Sequence, residues 1–269
     1  IVKPRNTLNI ELIGAVRISG RQINPELGGS FQEIENELIK KYTKEDKYWE
    51  TSSVEIQTLK NKLYDKEQNV TQNAKNIYDY LVSELEYDYS VIENDFVQRS
   101  GALKALQDNT PIACMEFTDL FIAVARAMGI PARELNGYAI NVYDKTTLPL
   151  SIKFNSGDLL HAWPEFYDPN FGWIPIDPTW GNTSQLDFFS KLDNTHFVFA
   201  IKGLDSEYPL PAGLFRLEDE KQLVSVGVSE IDSEDDFRHF MGLYKRPTLN
   251  PYMWVVGKNK YLVKNLGGT

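Results

Sequence analysis

The chain has 269 residues, 42% of them apolar and 25% charged, so it can bury a core without disulfides or a bound metal. Its net charge of −10 argues against a protein that binds nucleic acid or anionic lipid across a whole face. The single cysteine excludes an internal disulfide and a multi-cysteine zinc site. No apolar run approaches the roughly 18 residues that a membrane span needs.

The chain opens on Ile1 rather than Met. We therefore interpret it as a soluble piece of a longer polypeptide. Its compartment stays open, with an extracytoplasmic fragment as one alternative.

The first half of the chain predicts one strand followed by helices. Apolar residues alternate with polar ones at 7–19, which is typical of a strand. Helical spacing follows at 31–42, and a capping box at 52–55 marks the start of another helix. At 71–85 apolar residues recur every three or four positions, which predicts an amphipathic helix.

The next predicted helix carries the only cysteine. Apolar residues keep helical spacing from Cys114 to Met128. Gly129 and Pro131 then end the helix, because glycine can take the left-handed cap and proline cannot continue it. Cys114 is thus expected at a helix N-terminus, where free N–H groups favour a thiolate and can hydrogen-bond an oxyanion.

After this helix the pattern changes to strands. Short segments rich in aromatic and branched residues predict strands at 133–140, 161–167, 173–177 and 196–201. A turn at 168–172 is expected to pair the second of these with the third. Helices followed by strands indicate an α+β fold.

Three regions are predicted along the chain. They are an N-terminal strand and helix extension at 1–60, a catalytic core at 61–202 and a β-rich accessory region at 203–269. The accessory region is assigned from strand-like segments at 223–228, 252–256 and 261–263. The acidic run at 229–236 is interpreted as a solvated loop rather than a calcium site.

Three residues are candidates for nucleophilic catalysis, and each also has a structural interpretation. Cys114 is either the nucleophile or a small core residue. His161 is either its base or a strand histidine, and His196 and His239 compete for the same role. Asp177 either fixes the tautomer of His161 or is a turn residue before a proline.

The segments around these residues resemble the transglutaminase-like superfamily, microbial type. The nucleophile block is Cys114–Phe121 with Arg126–Arg133, the histidine block is His161–Glu165, and the aspartate block is Gly172–Thr179. The resemblance covers roughly residues 60 to 200, and the order and spacing of the blocks also match. It implies a papain-like α+β core, a catalytic triad of Cys114, His161 and Asp177, and a thioester acyl-enzyme.

Two positions bear on how far the resemblance extends. Pro164 lies where many members have a strand residue with a free N–H, so we expect its strand at a sheet edge. The tryptophan that assists the oxyanion in animal transglutaminases has no assigned counterpart, and Trp49 is one candidate. No cofactor or metal is expected.

The expected function is cysteine-dependent acyl transfer on a protein or peptide substrate. Hydrolysis by a protease or amidase is favoured over amine-accepting cross-linking. A binding or scaffold module with a vestigial triad is the alternative from another class. Nucleic acid is not an expected partner.

Overall fold

The computed structural model describes residues 18–92, 99–107, 110, 112–139, 152–153, 159–209, 235, 238, 254–256 and 259–261. The chain forms two compact units, one spanning Ser19–Val228 and the other combining Ile1–Ile18 with Ser229–Thr269. The second unit contains an antiparallel hairpin of Trp254–Val256 and Asn259–Tyr261. The strand predicted at 223–228, and nearly all of that at 7–19, lie outside the described residues.

The first unit has a helical half followed by a sheet, which confirms the α+β prediction. Its α-helices are α1 (Asn36–Tyr42), α2 (Val54–Leu63), α3 (Val70–Glu84), α4 (Cys114–Ala127) and α5 (Pro178–Ser184). Short 3-10 helices lie at Pro25–Leu27, Phe31–Glu33, Tyr89–Ile92 and Lys104–Leu106. None of the helices within the described ranges is long and apolar enough to cross a membrane.

The strands of this unit form one main antiparallel sheet and one short pair. They are β1 (Arg21–Gln22), β2 (Ala132–Ala139), β3 (Ile152–Lys153), β4 (Leu159–Asp168), β5 (Gly172–Pro175), β6 (Lys191–Leu192) and β7 (His196–Lys202). The main sheet runs β3-β4-β2-β7, and β5 also pairs with β4. Strands β1 and β6 pair separately.

Local capping explains most helix starts. The Ser53 side chain accepts the Ile56 N–H at the start of α2. At the start of α3, Asn69 accepts the Gln72 N–H at 2.8 Å, while the Gln72 side chain accepts the Asn69 N–H at 3.0 Å. The single helix predicted at 31–42 is wrong, because residues 34 and 35 are extended and separate a 3-10 turn from α1.

Helix α4 is the centre of the unit and is buried on nearly every side. It packs against α2 and α3 on one side and β4 on the other. Its buried charges are paired: Asp119 accepts the Trp49 indole N–H at 2.9 Å and the Arg99 Nε–H at 2.8 Å. Arg99 also donates to Glu134 of β2 at 2.7 Å, which ties α4 to the sheet.

The expectation that Pro164 marks a sheet edge is wrong. Strand β4 has β2 on one side, and on the other it has β3 and β5. The carbonyl of Pro164 accepts the Ile176 N–H at 3.0 Å, just beyond the end of β5. The missing N–H of Pro164 thus faces the point where β5 ends, so no ladder hydrogen bond is lost.

Gly137 permits the close approach of β7 to β2. A Cβ atom built there would lie 1.7 Å from the Phe197 carbonyl oxygen, at a register shift between the two strands. We predict that Gly137→Ala lowers the free energy of unfolding by about 3 kcal/mol or more, because the backbone of β7 must move.

Gly129→Ala is the matched control for this prediction. Gly129 has φ +88° but nothing within 4 Å of a built Cβ, so only the left-handed penalty of about 1–2 kcal/mol applies. Chemical denaturation measures both variants. Equal losses at the two positions would contradict the steric explanation.

Candidate active site

Cys114 is the first residue of α4, as the sequence predicts. It is buried, and the backbone N–H of Ala162 lies near enough to its sulfur to act on the thiol pKa. Because Ala162 follows His161 in β4, this proximity places the thiol beside the histidine block. The structure therefore brings two of the three sequence blocks together at the N-terminus of α4.

The expected lowering of the thiol pKa is wrong for this arrangement. Burial raises the pKa of the Cys114 thiol to about 12, and the negative charges of Glu116 and Asp177 act in the same direction. The Ala162 N–H opposes them but is outweighed. The thiol is therefore neutral at pH 7, and its activation requires a base that takes the proton.

His161 and Asp177 form a buried pair, with 2.7 Å between His161 Nε2 and Asp177 Oδ2. Burial alone would raise the pKa of Asp177, but charge and hydrogen bonds from His161 and His196 lower it to about 2. The ionised carboxylate makes Nε2 the protonated nitrogen of His161. The Nδ1 atom is buried and has no hydrogen-bond partner among the described residues, so its lone pair is available.

Asp177 reaches His161 from the start of a helix rather than from a strand. Strand β5 ends at Pro175, and Asp177 is the N-cap of α5, where its Oδ1 accepts the Trp180 N–H at 2.9 Å. Continuing the β4–β5 register would place Asp177 opposite Trp163, diagonal to His161. Thus Asp177 both caps a helix and orients the histidine.

His196, one of the two competing candidates for the base, also lies at this site, although the sequence did not indicate that it contacts Asp177. Its Nε2 lies 2.9 Å from the same Asp177 Oδ2, and its Nδ1 lies 2.9 Å from Asp193 Oδ1. The only local signal was an aspartate three residues before the histidine. His239, the other competitor, lies outside the described residues.

Aromatic rings enclose the two imidazoles. Trp163 stacks on His161 with 5.6 Å between ring centroids, and Trp180 meets His196 edge-on at 4.6 Å. Both tryptophans are fully buried, as is Phe166, so these rings belong to the core. Trp49 is not an oxyanion donor here, because its indole N–H is bonded to Asp119.

Ligand atoms of His161, Asp177 and His196 all lie within 4.8 Å of one another, close enough to be considered for a metal. Both nitrogens of His196 already face carboxylate oxygens. A metal would need a ring nitrogen without its proton. The cluster therefore suits hydrogen bonding better than metal binding.

A cavity of about 660 Å³ adjoins the nucleophile loop. Its wall includes Tyr87, whose hydroxyl is buried and has no hydrogen-bond partner in the described part of the chain. Burial raises the pKa of Tyr87. The Asp88 N–H donates to the Ile112 carbonyl at 2.9 Å, which holds this segment beside the loop that enters α4.

Comparison with known proteins adds a family match. Residues 57–178 match the transglutaminase-like superfamily. This stretch, a little under half of the chain, is similar to the transglutaminase-like core. This match includes all three triad candidates and ends one residue after Asp177.

Individual relatives match about half of the chain. A protein of Haemophilus influenzae is 28% identical over 153 residues, which are 52% of this chain and 39% of that protein. YebA of Bacillus subtilis is 28% identical over 157 residues, 56% of this chain and 21% of YebA. A candidate cysteine protease from Cytophaga hutchinsonii matches 68% of this chain and 57% of its own, with TM-score 0.44 and 22% identity. The chain therefore spans well under half the length of both sequence relatives.

The neutral thiol predicts a distinctive labelling profile. We expect the rate of Cys114 alkylation by iodoacetamide to be low at pH 6 and still to rise above pH 9, because burial raises the thiol pKa to about 12. Glutathione, with an ordinary thiol, is the control and should level off near pH 9–10. Equal rates at pH 6 and pH 8 would instead indicate a thiolate–imidazolium pair.

Proposed function

We propose that Cys114, His161 and Asp177 form a catalytic triad for acyl transfer on peptide or glutamine amides. The observation that carries the proposal is the buried 2.7 Å contact between His161 and Asp177, which leaves a free Nδ1 beside a helix-terminal cysteine. A histidine packed only for structure would not need an unpartnered nitrogen in the core. The family match supports the same assignment.

In the proposed reaction, the Cys114 sulfur attacks the amide carbonyl carbon while His161 Nδ1 takes the thiol proton. The N–H groups of the first turn of α4 have no intrahelical acceptor, so they can bind the oxyanion. The C–N bond then breaks, and the imidazolium returns the proton to the leaving amine. Water or an amine attacks the resulting thioester, and His161 again acts as the base.

The raised pKa of Cys114 favours general-base catalysis over a preformed ion pair. A thiol with a pKa of about 12 must lose its proton as the carbonyl is attacked. Asp177 stabilises the imidazolium formed in that step. Substrate that enters the cavity at Tyr87 would approach the sulfur from the loop side of α4.

For the acyl acceptor, we favour water. Cross-linking needs a narrow apolar tunnel that keeps water from the thioester, and the aromatic rings that could line one are packed in the core. Trp163 and Trp180 are fully buried, and Trp173 stacks on the Arg133 guanidinium at 3.8 Å. The cavity wall instead carries acidic and tyrosine side chains. An amine-accepting transglutaminase is the second candidate function, and a scaffold without catalytic activity is the third.

The test of the function uses wild type and Cys114→Ala with a peptide library rich in glutamine. We expect wild type to form a covalent adduct on Cys114, detected by intact-mass spectrometry, and to release free acid. Cys114→Ala should do neither. A labelled primary amine is supplied in parallel. Faster incorporation of the amine than release of acid would favour cross-linking, and no adduct with any peptide would favour the scaffold.

Asp177→Asn tests the triad. We expect turnover to fall by about 10⁴-fold, because an amide cannot stabilise the imidazolium. Asp168→Asn is the matched control: Asp168 is also buried, but it lies at the far end of β4 and binds Gly29 and Thr71. Turnover per folded molecule is measured, with folding followed by circular dichroism. Near-native turnover in Asp177→Asn would show that Asp177 serves only as a helix cap.

A further inference from the structure

We propose that His196 is a positioning residue, a protonated imidazolium held between Asp193 and Asp177 that fixes the carboxylate used by His161. The proposal deepens the proposed function and rests on it. The chain of contacts runs from Asp193 through His196 and Asp177 to His161.

The hydrogen-bond partners of His196 determine the protonation state of its ring. Nε2 and Nδ1 each lie 2.9 Å from a carboxylate oxygen, so each nitrogen must donate a proton. Neither carboxylate needs to be protonated, because donors among the described residues also approach both groups. Asp193 Oδ1 also accepts from the N–H and hydroxyl of Thr195, and Asp177 Oδ1 accepts from Trp180 N–H.

The electrostatic surroundings agree with a cation. Among the described residues, the titratable groups that face His196 are Asp177 before α5, Asp193 before β7 and His161 on β4. The neutral rings of Trp163, Trp180 and Phe188 also contact it. Burial alone would lower the pKa of His196, but hydrogen bonds and charge from both aspartates raise it to about 9.

This cation has two effects on the proposed base. It locks the rotation of the Asp177 carboxylate, because Oδ2 is held by His196 while Oδ1 is held by the Trp180 N–H. It also lies only 5.9 Å from His161, measured between ring centroids. Its charge therefore acts on the proposed base at short range, while the fixed carboxylate keeps Nε2 of His161 occupied and Nδ1 facing away from it.

The variant test is His196→Gln, which can still donate to Asp177 but carries no charge. We expect kcat to fall at least tenfold with KM changed less than threefold. We also expect the acid limb of the pH profile of kcat/KM to shift, because a positive charge 5.9 Å from the proposed base is lost. Lys202→Met is the matched control, since Lys202 is another buried cation on β7 but binds Glu134. It should lose stability without moving the profile.

Two further measurements do not depend on turnover. In the ¹⁵N-labelled wild type at pH 7, His196 should show both ring N–H protons. The free energy of unfolding should fall from pH 6.5 to 9, because stability from a raised pKa is complete below 6.5 and is lost through 9. His196→Gln should lose this part of the pH dependence.

The outcomes distinguish a failure of the role proposed for His196 from a failure of the proposed triad. If wild type shows no turnover, the triad fails, and the pH profile of Cys114 alkylation in His196→Gln replaces the kinetic readout. A single ring N–H on His196 at pH 7 overturns the proposal even if the variant does not fold. An unchanged acid limb and kcat in His196→Gln overturns it as well.

Discussion

One oxygen atom, Oδ2 of Asp177, accepts hydrogen bonds from two imidazoles, and much of the core is arranged around it. Strand β4 supplies His161, β7 supplies His196, and the turn from β5 into α5 supplies the aspartate. An ionised carboxylate is costly to bury unless donors surround it, and here three N–H groups do so. The sheet order, with β2 between β4 and β7, sets the separation that both rings must span.

On the other side of α4, buried carboxylates are also paired with partners of opposite charge. Arg99 and Lys202 neutralise Asp119 and Glu134, so that helix and sheet are joined through charges as well as apolar contacts. Buried charges of this kind stabilise the fold only when all partners are present. Removing one partner leaves a buried charge unpaired, which destabilises the protein. Cys114 is buried as well, and its burial together with the nearby carboxylates raises the pKa of its thiol.

The features that the sequence could predict are those specified locally. Gly129 and Pro131 mark the end of α4 because left-handed caps and proline act within a few residues. The pairing of β4 and β5 follows from the turn between them. Helix α5 was missed because Pro178 and Gly181 are typical of turns, yet Gly181 lets the helix approach Tyr78 closely.

Other features depend on partners distant in sequence. No local pattern shows that His196 shares the oxygen of Asp177, because β7 reaches the site only through its pairing with β2. The error at Pro164 has the same origin, since a sheet edge is decided by strands elsewhere in the chain. The raised thiol pKa likewise reflects burial, which the sequence around Cys114 does not reveal.

The contacts of Ser206 bear on how this unit is assembled during synthesis. Its N–H donates to Asp46 and its hydroxyl accepts from the Tyr48 N–H, partners about 160 residues earlier, and its carbonyl accepts from Arg99. Trp49 can bond to Asp119 earlier, but these contacts of its neighbours Asp46 and Tyr48 form only after residue 206 has left the ribosome. Because contacts between residues far apart in sequence form slowly, we expect these hydrogen bonds to be among the last that the unit makes.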